Sequence, residues 1–154
     1  PLAEKDIPLY VRSFVEPATK GTMIGNCETT PAQPAFITKK NQALVTFKKS
    51  DLSSISQREM VDIINGAARL NLKINLMQNA ASEFSFSTNY DAHALERLQK
   101  ESRLVNQFAI EVETGLQILT LKNYDTATLA KFTEVKGEVL RQTYEENSHI
   151  LYRV

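Results

Sequence analysis

The sequence is poor in the residues that carry most enzyme chemistry. Its 154 residues include one cysteine, Cys27, two histidines, His93 and His149, and no tryptophan. A single cysteine excludes an internal disulfide and a Cys-cluster metal site, and two histidines leave little for a His-rich one. Sparse cysteine also points to a reducing compartment. The five glycines stand singly at 21, 25, 66, 115 and 137, so no Gly-rich phosphate loop exists. No cluster of Lys and Asp reads as a phosphate and magnesium site. Neither sign of charge dominates: Lys plus Arg number 18, and so do Asp plus Glu. Neutrality argues against a protein built to coat nucleic acid or an anionic membrane. No apolar run approaches the ~20 residues of a membrane helix. No basic and apolar signal segment opens the chain. Proline is absent after Pro34, although five prolines precede that point.

What is present is ordinary for a globular chain: 42% hydrophobic and 23% charged residues. The length suits one average domain or two small ones, and allows a real core. Pro1 in place of Met suggests a piece of a longer protein. Residues 1–6 read as the last turn of a helix, and Ile7 to Phe14 alternates like a strand. Pro8 near its start suggests an edge. Glu16 to Pro34, rich in Pro, Gly, Thr and Asn, reads as a connector.

Periodicity then sets out a series of elements. Ala43 to Lys49 is an apolar run of strand length. Ser56 followed by Glu59 fits a capping box. The helix it opens reaches about Leu70, with Met60, Ile63, Ile64, Ala67 and Ala68 at helical spacing. Leu72, Ile74 and Leu76 alternate in a second strand. Phe84 and Phe86 alternate with serines in a third, and 79–82 forms the turn between them. Asp91 starts a second helix ending near Ser102, and Val105 to Val112 reads as a fourth strand. The pattern over roughly 36–113 is β-α-β-β-α-β, the ferredoxin-like arrangement.

Gly115 punctuates, and the pattern restarts. Leu116 to Leu121 reads as a strand, Asp125 or Thr126 caps a short helix to Thr133, and Glu138 to Tyr144 and His149 to Val154 are strands joined by a turn at 145–148. This second copy stops at β-α-β-β. The α-β reading of 1–14 offers the missing piece, since an unfinished sheet would expose an edge and part of an apolar face. The expected class is therefore α+β, with two ferredoxin-like modules, the first inserted into the second. The boundaries are 1–35 for connector and completing piece, 36–114 for the first module, and 115–154 for the rest of the second.

At this point the residues resemble a family. IPLYVRSF followed by EPATKGTMI is similar to the segment joining kinase and regulatory domains in aspartate kinases. Pro17, Ala18, Gly21 and Thr22 match the family's turn, while Glu16 and Lys20 depart from it. ITKKNQALVTF, with Asn41 and Gln42, resembles the first strand of the family's first ACT module. LNLKINLMQNAASEFSFS resembles its second and third strands. The tail from GLQILTLKNYD to the end resembles the second ACT module. The resemblance covers nearly the whole chain.

It implies the regulatory part of an aspartate kinase, cut from the domain that transfers the ATP γ-phosphate to the β-carboxylate of aspartate. ATP and magnesium are implied for that domain, no cofactor for this chain, and no catalytic activity here alone. The implied partners are a second copy of the chain, the upstream kinase domain, and lysine or threonine as effector. Nucleic acid and membrane are not among them, and the implied location is the cytoplasm. An effector's carboxylate needs backbone donors such as a helix N-terminus, and its ammonium an acceptor. By the resemblance these come from Ser50, Asp51, Leu52, Ser56, Gln57, Arg58, Glu59 and Met60, together with Asn75, Met77, Gln78 and Asn79. The chain departs from many family members in having no glycine in the loop–helix start, and Asn75 where they have aspartate.

Simpler readings exist for the same residues. Asp51 and Ser56 also serve as helix caps. Gln78 and Asn79 also suit a turn, and Met77 suits core or interface filling. His93 and His149 read as surface positions, and Cys27 has no base to activate it. Two other functions remain open. One is an ACT module attached to a different enzyme of amino-acid metabolism. The other is a ferredoxin-like RNA-binding domain, which would present Phe84 and Phe86 on an exposed sheet face.

Overall fold

The computed structural model describes residues 2–25, 34–51, 53–124, 135–145 and 147–154. They fall into two compact units, Pro1–Ala32 and Gln33–Val154. The first has a 3₁₀ turn at Ala3–Lys5 and two short antiparallel strands, β1 (Leu9–Val11) and β2 (Thr22–Ile24). The strand expected over 7–14 thus shrinks to three residues. Its partner lies in the stretch read as a connector.

The second unit runs β3 (Ala35–Lys48), α1 (Gln57–Arg69), β4 (Ile74–Asn79), β5 (Glu83–Asn89), α2 (Ala92–Gln99), α3 (Ser102–Val105), β6 (Ala109–Lys122), β7 (Glu138–Tyr144) and β8 (Asn147–Arg153). Its strands form one antiparallel sheet in the order β4-β5-β3-β6-β8-β7. No helix among the described residues is long and apolar enough to cross a membrane.

Local chemistry explains the helix ends. The Ser56 hydroxyl accepts from the Glu59 N–H at 3.3 Å, and the Glu59 carboxylate accepts from the Ser56 N–H at 2.7 Å. This is the expected capping box. At the other end Asn71 adopts φ 56°, the Asn71 N–H donates to the Ala68 carbonyl, and the Leu72 N–H donates to the Ala67 carbonyl. These two bonds make a Schellman motif, which delays β4 until Ile74 and buries Leu72. Asp91 caps α2 by accepting from the Ala94 N–H at 3.0 Å. The second helix then stops at Gln99, and a separate turn, α3, takes Val105 out of the strand expected there. Leu104 and Phe108 are buried, and that anchorage favours a helical turn over early pairing.

The largest departure concerns Gly115. It was expected to end one strand and begin another, yet β6 runs through it without interruption. β3 is likewise one strand of 14 residues. Each strand carries an extra residue at the same level: Asn41 in β3 (φ 54°) and Gly115 in β6 (φ 77°) lie at paired register shifts. The two bulges cancel in register but not in facing. A single inserted residue moves the following side chains to the other face. Ile110 and Val112 therefore pack with the helices, whereas Leu116 and Ile118, of the same parity, pack on the opposite side. One sheet thus serves two cores. The first joins Ala43, Val45, Phe47, Phe84 and Phe86 to Ile63 and Ala67 of α1 and Leu95 and Leu98 of α2. The second joins Leu76, Leu116, Ile118, Leu140 and Leu151, with Leu44 and Val139 against them.

Ala35–Lys39 pairs antiparallel with the Ile118–Lys122 part of β6. Extending a strand that is already paired avoids the loop-closure entropy of bringing in a distant segment. The edge strands β4 and β7 approach each other, with the Gln142 amide donating to the Met77 carbonyl oxygen. The sheet is accordingly curled. The helix expected over 125–133 lies outside the described residues. The last hairpin is tighter than expected, with only positions 145 and 146 between β7 and β8 and Glu145 at φ 49°.

Candidate functional site

The residues singled out by sequence divide into two places. The first is the N-terminal end of α1. Asp51 Oδ1 accepts from the Ser53 N–H at 3.0 Å and its hydroxyl at 2.8 Å, and these bonds hold the Asp51 carboxyl below the ordinary range. The Lys49 N–H donates to Ser82 and the Ile55 N–H to Ala81, each at 3.1 Å. Those bonds tie the loop to the β4–β5 turn, where Asn79 ends its strand. Ser50, Gln57 and Arg58 are exposed, Met60 is half-buried against the core, and Leu52 lies outside the described residues.

Lys49, at the end of the apolar run that follows Gln42, completes this place. Its ammonium lies 2.8 Å from Glu59 Oε1 and donates to the Ser54 carbonyl at 3.2 Å. The Lys49 hydrogen bond, then those from Ser56, pull the Glu59 carboxyl down to about 2. The folded value lies below the ordinary 4.5, so this contribution to stability is complete above about pH 4.5 and disappears as pH falls through about 2. Urea titrations at several acidic pH values should show it. Glu59→Gln is expected to be less stable than the parent near neutrality and to lose less on acidification.

The second place is the seam between the bulges. Asn75 donates to Gln42 Oε1 at 2.7 Å and accepts from the Lys39 ammonium at 2.8 Å. Gln42, 1% exposed, donates to the Lys40 carbonyl at 2.9 Å and to Asn89 Oδ1 at 3.2 Å. A buried amide is costly unless paired, and here it satisfies groups that the bulge frees from the ladder. Asn75 is four residues from Asn79 on an extended strand, about 13 Å away. The fold therefore separates Asn75 from the helix start that it was grouped with. In the sequence Gln42 stands directly before the apolar run ALVTF, and nothing local to it shows that it is buried.

Between these places, β4 turns Met77 and Gln78 to opposite faces. Met77 lies opposite Phe86 and is exposed; Gln78 lies opposite Ser85 on the helix-free side. Phe84 and Phe86 are 2% and 0% exposed, inside the first core. They cannot stack on RNA bases, so the aromatic platform of that alternative is absent.

No protein-family model matches the chain. Lysine-sensitive aspartokinase 3 of Escherichia coli is 29% identical over 147 residues, a match covering 90% of this chain and 31% of that protein. The chain thus spans about a third of the length of the curated relative it matches. Among solved structures, Clostridium acetobutylicum aspartate kinase superposes with a TM-score of 0.76 at 17% identity, over 99% of this chain and 39% of that one. Escherichia coli aspartokinase III in complex with lysine and aspartate, in its T-state, gives 0.74 at 20% identity, over 99% and 37%. The regulatory subunit of aspartate kinase from Thermus thermophilus gives 0.60 at 8% identity, over 80% and 89%. Sequence match and shared fold agree: the chain is homologous to aspartokinase, over a part of the enzyme's length that has the fold of its regulatory subunits.

Proposed function

We propose that the chain is the regulatory, amino-acid-sensing and dimerising region of an aspartate kinase. The observation that carries this reading is the shared fold with the regulatory subunit of aspartate kinase from Thermus thermophilus, 89% of which is covered. Phosphoryl transfer from ATP to the aspartate β-carboxylate, with magnesium, belongs to the remaining length of the enzyme. The parent enzyme is cytoplasmic in this reading.

Two ferredoxin-like ACT modules account for the sheet. The first comprises the 42–48 part of β3, α1, β4, β5, α2 and the 109–113 part of β6. The second uses the 116–122 part of β6 with β7 and β8, and takes its fourth strand from Ala35–Lys39. Because that strand precedes the first module in the chain, the first module is inserted into the second. Its register with β6 supports this arrangement.

The effector, lysine or threonine, lies between the loop at 50–56, the first turn of α1 and the end of β4. Its carboxylate faces the helix N-terminus, where the dipole favours an anion. Asn75 orders the seam instead of meeting the ligand. A second copy pairs with this one through the ACT sheets. Binding at that junction biases a conformational equilibrium in the attached kinase.

Calorimetry of the 154-residue chain with lysine, threonine and methionine tests the reading, alongside sedimentation velocity. Saturable heat with lysine or threonine and a dimer at micromolar concentration are expected. A strict monomer that takes up none of the three would overturn it.

A further inference from the structure

We propose that the β1–β2 hairpin docks into the kinase part of the enzyme, as strands added to an open sheet edge, and takes no part in completing the second module. The proposal rests on the regulatory reading above and names the surface through which that region is joined to its kinase. The hairpin is too small to stand alone. Its strands have three residues each, and an isolated hairpin is marginal in water. The first unit offers nothing to compensate. Among its described residues every side chain is exposed, and the chain's single cysteine permits no disulfide staple.

The hairpin is apolar on both faces. Its register sets Leu9 opposite Ile24, Tyr10 opposite Met23 and Val11 opposite Thr22. Side chains alternate along a strand, so one face carries Leu9, Val11 and Ile24 and the other carries Tyr10 and Met23. All five are exposed. A sheet lying on a surface needs one apolar face and turns the other, polar, to water; two apolar faces are the pattern of strands covered on both sides. Among the described residues β1 and β2 pair only with each other, so each keeps a free row of backbone donors and acceptors. Such an edge is a template for a further strand. Gly21 holds the pair close: it has φ 70°, and an added Cβ would stand 2.5 Å from the Val11 carbonyl oxygen.

Two shares of coverage point to the occupant. The fold shared with the Escherichia coli aspartokinase III chain takes in 99% of this chain, hairpin included, and only 37% of that one. The fold shared with the Thermus thermophilus regulatory subunit takes in 80% of this chain, which is the size of the second unit, Gln33–Val154, alone. A hairpin present in the long chain, and beyond the share matched by the regulatory subunit, belongs with what only the long chain has. The partner is therefore the kinase part, at a strand edge flanked by apolar surface on both sides. β1 follows Ile7 and Pro8 in an apolar run unbroken to Val11, which suits the more deeply covered of the two strands.

The test is hydrogen exchange, read by mass spectrometry, of the 154-residue chain and of the complete enzyme. In the 154-residue chain the amides of 9–11 and 22–24 are expected to exchange within roughly tenfold of an unfolded chain. In the complete enzyme they should exchange roughly a hundredfold more slowly, with α1 and β5 equally protected in both. Val11→Asp is expected to leave the thermal midpoint of the 154-residue chain unchanged and to lower that of the kinase part by roughly 4 °C or more, because its charge meets water in the first and apolar surface in the second. Fast exchange at 9–11 in an enzyme that phosphorylates aspartate would overturn the docking and leave the regulatory reading standing. Slow exchange there in the 154-residue chain alone would also overturn it, since the chain or a second copy would then supply the cover. A complete protein without aspartate kinase activity would overturn both readings.

Discussion

Replacing Phe47 with alanine is expected to destabilise the chain by about 3–5 kcal/mol, the largest effect of any single side chain considered. Phe47 is 0% exposed. Its ring stacks on Phe86, with centroids 6.0 Å apart at 27°, and meets Phe108 edge-on at 5.9 Å and 89°. Phe86 sits on β5 and Phe108 just before β6, so Phe47 joins the strands on both sides of β3. Removal leaves a cavity that β3 and its two flanking strands cannot close without breaking their ladders. For a domain of this size each kcal/mol shifts the midpoint by roughly 2–4 °C, so a fall of roughly 6–20 °C is expected in a thermal melt. A loss below about 1 kcal/mol, typical of an average substitution, would mean that the first core does not centre on this ring.

Gly137→Ala is expected to cost about 2–4 kcal/mol, through two effects acting together. Gly137 has φ 78°, where a Cβ is disfavoured. An added Cβ would also stand 2.9 Å from the Arg153 carbonyl oxygen and 3.3 Å from its nitrogen. Those are backbone atoms of the neighbouring strand, held in place by the Arg153 N–H donating to the Gly137 carbonyl at 2.9 Å. They cannot swing aside as a side chain would. Gly115→Ala is the control, because Gly115 has a similar φ of 77° but nothing within 4 Å of the added Cβ. It should lose only the conformational part, about 1–2 kcal/mol. Equal losses in urea unfolding would show that the close approach of β7 to Arg153 contributes nothing.

Much of this fold was legible in short stretches. Ser56 and Glu59 announced α1 because a capping box is made by residues three apart. Asp91 announced α2, and Phe84 and Phe86 declared a strand with one buried face. Gly115 was visible as punctuation, and Asn41 and Gln42 as part of a strand that resembles the family's first. Their meaning was not. A glycine that ends a strand and a glycine that bulges within one look alike in sequence; only the partner strand distinguishes them. The candidate site shows the same limit. Ser56 to Met60 and Asn79 come together through the bonds at Ile55 and Lys49, but Asn75 is drawn away by Lys39 and Gln42, which lie more than thirty residues earlier.

The sequence by itself determined the helices with their caps, the strand alternation, the neutral and cysteine-poor character, and the resemblance that led to aspartokinase. These follow from interactions within a few residues of one another, or from composition. Only the tertiary structure decided that β3 and β6 each run unbroken through a bulge, that the two bulges exchange the buried faces, and that β7 curls back toward β4. Each of those depends on which distant strand supplies the opposing hydrogen bonds and apolar surface. That is a property of the closed sheet and not of any segment within it.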